Sequence, residues 1–281
     1  MGIDNMEDSN TLILEAGRTE KHYWLDLWRF RELFLILAWR DISVRYKQTV
    51  IGFAWAIVRP VLTMVVFTVV FGKLAKLPSI GNTPYSLLVF SAMLPWMLFS
   101  SALNDSSNSI TGNTNLISKI YFPRMIIPIA AMVTSLIDFL ISFGVLLLLM
   151  AYYHIMPSWQ ILLLPIFILI AFLASLGPGL WLTALNVQYR DFRFLVPFIV
   201  QFGLYLSPVG FSSSIVPERW RLLYGLNPMV WVIDGFRWCI LGGQSIIYWP
   251  SFYMSLGIVG FFVWFGIAQF RKMEKKFADL A

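Results

Sequence analysis

Ionisable side chains inside apolar stretches are few in this sequence, so each is a candidate for chemistry. Asp138 lies near the middle of the apolar run from Ile126 to Tyr153. A carboxylate at that depth is costly and marks either a functional group or a satisfied structural contact. Thr134, Ser135 and Ser142 stand four and three residues before it and four after, which offers hydrogen bonds on one helical face. A proton-coupled transporter usually shows a chain of such groups, and only this one falls near the middle of a run. Asp234 and Arg237 share a three-residue spacing in an otherwise apolar loop and can pair on one face. Arg59 sits eight residues inside the first apolar run, about 12 Å deep at helical rise, within snorkelling reach of the headgroups.

Other chemistry is missing. No Gly-x-x-x-x-Gly-Lys-[Ser/Thr] phosphate loop, Gly-x-Ser-x-Gly elbow or His-Glu-x-x-His pair occurs. The single Cys239 excludes a disulfide framework within one copy, and His22 and His154 are too few and too far apart in sequence for a metal site. The chain is therefore expected to hold no cofactor, bind no nucleotide and catalyse no reaction by itself.

The elements that must position these residues are membrane helices. Hydrophobic residues make up 58% of the 281 and charged residues 13%, about half the charge of a soluble domain, with a mean hydropathy of +0.72. Six runs are long enough to cross about 30 Å of hydrocarbon: Ile51 to Phe71, Tyr85 to Leu103, Ile126 to Tyr153, Trp159 to Val187, Phe194 to Val216, and Pro250 to Ala268. Asp4, Glu7 and Asp8 occupy the place of a signal peptide's basic segment and apolar core, so none is expected. Fifteen Lys and Arg fall in the N-terminal segment, the second and fourth loops and the tail, against five in the alternate loops. By the positive-inside rule both termini are cytoplasmic. The net charge of +6 is accordingly a topology signal and not a nucleic-acid footprint.

Three segments are not spans. From Trp24 to Tyr46 the sequence is apolar but studded with charge. Asp26, Arg29, Glu32, Arg40 and Ser43 share an arc opposite Leu27, Phe34, Leu35, Ala38 and Ile42, while Arg31, Asp41 and Arg45 break the pattern. This reads as a helix along the cytoplasmic interface, serving either as an anchor or as a docking surface. In the second loop, Asn113 or Thr114 can cap a helix of two turns that Pro123 stops. The fifth loop, 217–244, is apolar yet carries Glu218, Arg219, Arg221, Asp234 and Arg237. Asn227-Pro228 divides it into two short helices and Gly242-Gly243 ends the second. It reads either as a re-entrant hairpin on the outer side or as a lipid-facing interfacial loop. Aromatics such as Trp96, Tyr205, Trp231 and Trp238 suit interfacial belts or the lining of a path for a sugar chain.

Several stretches in order then carry a family resemblance. They are Arg40-Asp41-Ile42-Ser43-Val44-Arg45-Tyr46-Lys47-Gln48 leading to Ile51-Gly52-Phe53-Ala54-Trp55, then Phe122-Pro123-Arg124, Tyr189-Arg190-Asp191, and Leu226-Asn227-Pro228-Met229. Over about residues 25 to 275 the chain resembles the membrane subunits of type-2 ABC exporters of polysaccharides and polyol phosphates. The resemblance implies an all-α integral membrane protein of six spans, residues 51–268, between a tail (1–23) with an interface helix (24–50) and a basic cytoplasmic tail (269–281). It implies a homodimer in the bacterial cytoplasmic membrane, around a channel for a lipid-linked polysaccharide such as O-antigen, with two copies of a separate ATPase that binds ATP and Mg. It assigns the 113–122 helix, with Asn115, Lys119, Tyr121 and Arg124, to coupling with that ATPase, and the 217–244 hairpin to the outer gate. Arg59 departs from the family, where an uncharged polar residue is expected before the proline. Teichoic acid, capsule, drug and small-lipid exporters of the same architecture are the alternatives. A membrane-embedded transferase acting on lipid-linked sugars is another, but it would need an acid or base cluster that the sequence does not display.

Overall fold

The structure, a computed structural model, describes residues 23–47, 52–81, 83–117, 122–189, 191–243, 248–274 and 277. All regular elements among them are helical: α1 (Tyr23–Arg29), α2 (Arg31–Lys47), α3 (Gly52–Phe67), α4 (Tyr85–Ser109), α5 (Thr114–Ile117), α6 (Ile126–Tyr152), α7 (Leu164–Gln188), α8 (Phe192–Leu206), α9 (Glu218–Tyr224), α10 (Pro228–Ile240) and α11 (Trp249–Glu274). A π-helical stretch, Thr68–Leu74, prolongs α3, and a short 3-10 turn, Trp159–Leu163, leads into α7. Five segments are long and apolar enough to cross a membrane: Phe53–Leu74, Tyr85–Ser109, Ile126–Tyr152, Trp159–Gln188 and Trp249–Glu274.

The expected fifth span is shorter than the sequence suggested. α8 has 15 residues, about 22 Å of helix against about 30 Å of hydrocarbon. Ser207 turns to extended backbone ahead of Pro208, as the proline ring requires of its predecessor. Val209 is completely buried, so the segment after the helix turns back into protein.

α4 is the central helix: 72% of its most apolar stretch is buried, against 11% for α3. It packs against α6, α7 and α10. α7 and α11 approach at backbone distance, since a Cβ on Gly266 would meet the Gly177 carbonyl oxygen at 2.0 Å. Small residues at such a crossing let dispersion contacts form where lipid gives helices no hydrophobic reason to associate.

One local expectation needs correction. The second loop does not begin at Asn104, because α4 runs on to Ser109 and carries Asn104, Asp105 and Asn108 as helical residues. The Asn113 side-chain amide donates to the Ser109 carbonyl at 2.8 Å, prolonging α4 through a tight turn. α5 is described as one turn, to Ile117, and residues 118–121 of the expected helix lie outside the described residues. The fifth loop does contain two short helices, with Asn227 capping α10 by accepting from the Met229 N–H at 3.0 Å. Gly242 and Gly243 end it with positive φ angles of 65° and 82°, a conformation that costs glycine little.

Candidate functional site

Arg45 is the residue that best explains the architecture at the end of the bundle carrying α1 and α2. It broke the amphipathic pattern of the interface helix because it faces the bundle. Its Nη1 donates to Asp138 Oδ2 at 2.7 Å on α6, and its Nη2 to both Asp105 oxygens at 3.2 Å on α4. The neighbouring Tyr46 hydroxyl donates to Asp138 Oδ1, and Ser135 donates to Asp105 Oδ2 at 2.7 Å. Burial works against the Arg45 charge, but the two carboxylates outweigh it and hold its pKa above the ordinary value. Burial and the hydrogen bond to Asp138 push the Tyr46 phenol well upward. Both therefore keep their protons at any physiological pH.

This arrangement revises the expectation for Asp138. Its partners are Arg45 and Tyr46 rather than the hydroxyls on its own helix. Ser135 serves Asp105, Ser142 donates to the Ala56 carbonyl at 3.3 Å, and the buried Thr134 hydroxyl has no partner. Asp105 is the functional-site residue that sequence reasoning missed. Its run of Asn and Ser reads as a loop, and its partner lies 60 residues away.

The ion cluster floors a cleft of about 1060 Å³ between α2, α3, α4 and α6. Its wall changes character along its length. Asn104, Asn108 and Asn113 line the end nearest the α4–α5 turn, Asp105 and Asp138 follow, and Leu94, Met97 and Leu98 line the far end. Arg59 also lines it, and among the described residues this guanidinium meets no carboxylate.

A second cluster joins three distant parts of the chain at the same end of the bundle. Glu274, in the last turn of α11, accepts from the Tyr23 hydroxyl at 3.0 Å and from the Arg124 backbone N–H at 2.6 Å. The Arg124 guanidinium donates to the Glu274 carbonyl at 2.7 Å, and Arg271 lies over the Tyr23 ring at 4.6 Å. Burial and the adjacent carboxylate push the Tyr23 phenol far above its usual range. Ile117 and Phe122, flanking the expected coupling residues, pack into one apolar core with Ala38, Phe270 and Phe277. Arg124 is thereby held by α11 instead of standing free.

The 217–244 segment contributes a third buried arrangement. Arg237 is fully enclosed and donates to the carbonyls of Leu88, Phe211 and Val209 at 3.3, 2.8 and 3.1 Å. Asp234 is equally buried, with Oδ1 3.9 Å from Arg237 Nη1, at ion-pair range but beyond a hydrogen bond. The pairing expected from the three-residue spacing is present. Arg237 also pins the segment after α8 onto α4, which no local pattern announced.

The remaining candidates are spread over the molecule. Arg29 faces Asp26 at 3.6 Å, and Arg40 donates from Nε and Nη2 to Asp41 Oδ1 at 2.9 and 2.7 Å, so these charges pair within the interface helices. On the apolar arc of the interface helix Ala38 is buried and Leu35 is 62% exposed. Trp96 is buried under α8, where a Cβ on Gly203 would meet its ring at 2.6 Å. Trp231 is buried with its indole N–H unpartnered, Trp238 stacks edge-on with Trp159 at 6.1 Å, and Tyr205 is exposed. Tyr189 accepts from Gln188 at 3.1 Å, and Asp191 is exposed at the start of α8 with no ion pair among the described residues. Lys119, Tyr121 and Arg190 lie outside the described residues, as does the side chain of Asn115.

A bundle of helices long and apolar enough to cross a membrane, with an interface helix ion-paired to it, defines a multi-pass membrane protein. Residues 32–241 match the family model for the ABC-2 type transporter, and the chain belongs to that family. It is 30% identical over 214 residues, 75% of this chain and 81% of the relative, to the O-antigen export system permease protein RfbA of Myxococcus xanthus. The protein of that name from Klebsiella pneumoniae is 27% identical, covering 89% of this chain and 95% of its own. The polysialic acid transport protein KpsM of Escherichia coli is 23% identical over 84% and 91%.

Proposed function

We propose that the chain is the channel-forming membrane subunit of an ATP-driven exporter of lipid-linked polysaccharide, with O-antigen as the substrate and the bacterial cytoplasmic membrane as its site. The observation that carries this reading is the near full-length similarity to permeases named for O-antigen export. The polysialic acid transport protein adds a second glycan polymer among the relatives. The subunit works as a homodimer of six-span protomers, with both termini in the cytoplasm and two copies of a separate ATPase beneath it. The short α8 and the 217–244 hairpin complete the set of spans and form the outer gate. Exposed apolar side chains on α3 and α8, such as Phe53, Val66, Phe198 and Phe202, are available to a second copy as well as to lipid.

The mechanism is a displacement passed through packed elements. ATP binding by the partner moves the 113–122 segment. Ile117 and Phe122 share a core with α2 and α11, and Glu274 fixes Arg124 to the first helix, so that segment carries the interface helix with it. Two packings of the protomers that differ in affinity for the loaded ATPase are sufficient to alternate the path. ATP and Mg belong to the partner, and nothing in this chain is asked to hold them.

The first test deletes the gene and compares surface glycan with lipid-linked glycan inside the cell. Loss at the surface with accumulation inside is the expected result. Loss of both pools would indicate assembly by a membrane transferase. Unchanged pools would favour a small-substrate exporter of the same architecture.

A further inference from the structure

The cleft walled by α2, α3, α4 and α6 belongs to a single protomer and carries two groups that the fold leaves without partners. Arg59 is a cation in the first span with no carboxylate among the described residues. Thr134 is 96% buried in the wall, and its hydroxyl makes no hydrogen bond. An unmatched guanidinium at membrane depth and an unmatched buried hydroxyl are both unfavourable; the first is relieved by an anion, the second, one turn of α6 to the other side of Asp138, by a neutral acceptor oxygen.

The order of groups along the cleft narrows the choice of anion. The Ser142 hydroxyl donates to the Ala56 carbonyl, and Arg45 donates to Asp138; these contacts set α3 and α6 side by side in the same direction. Arg59 lies three residues beyond Ala56, and Ser142 four beyond Asp138, which places Arg59 about 10 Å further along the cleft than the carboxylates. Beyond it the wall is apolar, with Leu94 and Met97; before it the wall offers Asp105, Asn104 and Asn108. Hydrocarbon, then cation, then neutral and acidic hydrogen-bonding groups is the reverse image of a lipid chain, a phosphate and a sugar. Arg recognises phosphate through paired N–H donors, and carboxylates and amides accept from sugar hydroxyls. Asp105 and Asp138 together carry one more negative charge than Arg45 neutralises, so their remaining acceptor capacity suits hydroxyl donors and repels a second phosphate.

We infer that this cleft seats the head of a lipid-linked glycan, with Arg59 contacting its phosphate and the first sugar lying against Asp105, Asn104 and the Thr134 hydroxyl. The inference rests on the export reading above and gives each protomer its own site for the membrane anchor of the substrate.

The test titrates the full chain in lipid nanodiscs with three probes read by native mass spectrometry: a long-chain alkyl phosphate bearing one hexose, the same alkyl phosphate without sugar, and phosphatidylglycerol. The expected result is preference for the first probe, a loss of about tenfold or more in its affinity with Arg59→Gln, partial recovery with Arg59→Lys, and a smaller loss with the near-isosteric Thr134→Val. Unchanged affinity in Arg59→Gln overturns the site. Equal binding of all three probes, weakened alike by Arg59→Gln, also overturns it, because Arg59 would then be holding bulk headgroups. A deletion strain that loses surface glycan while Arg59→Gln binds and exports normally refutes the cleft and leaves export standing. A deletion strain that keeps its surface glycan refutes the export reading, and this assignment with it.

Discussion

Replacing Arg45 by methionine removes the one guanidinium shared by Asp105 and Asp138 and leaves two carboxylates facing each other. Three hydrogen bonds, at 2.7, 3.2 and 3.2 Å, disappear together. Breaking one partner of a fully buried pair costs about 3–5 kcal/mol, and an exposed pair contributes about 0–1 kcal/mol. The three side chains are 37%, 24% and 29% exposed, between those limits, so the expected loss is about 2 kcal/mol. The sign of a second experiment is more telling. The triple variant Arg45→Met, Asp105→Asn, Asp138→Asn carries no charge at the site, retains Tyr46 and Ser135 as donors, and should recover most of the loss, since the penalty comes from uncompensated charge. Thermal unfolding in nanodiscs, followed by tryptophan fluorescence, measures both. A single variant as stable as the parent, or a triple variant less stable than the single one, refutes the account of Arg45 as the neutraliser of two buried acids.

Further outcomes follow from neighbouring features. Asp138→Asn should leave transport intact, and loss of transport in a correctly folded variant would restore the proton-coupled reading. Gly266→Leu should abolish accumulation of folded protein, because its Cβ alone meets the Gly177 carbonyl at 2.0 Å, while Gly257→Ala, with nothing within 4 Å, should be neutral or slightly stabilising; membrane-extracted yield compares them. Arg237→Met leaves three carbonyls without their donor and should cost about 3 kcal/mol or more, seen as loss of cooperative unfolding. Lys119→Ala or Tyr121→Ala should leave ATP hydrolysis by the complex running with export reduced, and a normal ratio of export to hydrolysis would sink the coupling assignment.

Much of this protein is readable from its sequence because hydrocarbon thickness and helical rise leave little freedom. Three of the six expected spans agree with long apolar helices to within a few residues, and two more end six residues later than expected, at Ser109 and Glu274. The division of the fifth loop followed from Asn227-Pro228 and the paired glycines, which act on the backbone locally. The errors have one origin. Asp105 was placed in a loop because Asn and Ser are common there, although helix continuation is decided by packing against α6 and α7. Asp138 was given partners on its own helix, whereas its ion pair spans 93 residues of sequence. α8 was drawn too long because Val209 and Phe211 are apolar, and apolar character reports burial without saying whether lipid or protein covers the residue. Periodicity reads the nearest turn of helix and is silent about charges that meet only after folding.

The approach of Gly177 to Gly266 also bears on how the subunit can move. Two helices whose backbones touch cannot slide without collision, so α7 and α11 behave as a single beam through any transport cycle. α4 is buried along most of its length and joins that beam. α3 and α8 are instead held mainly along one side, with open flanks. A displacement that leaves this frame intact therefore falls to α3 and α8, whose open flanks give it room.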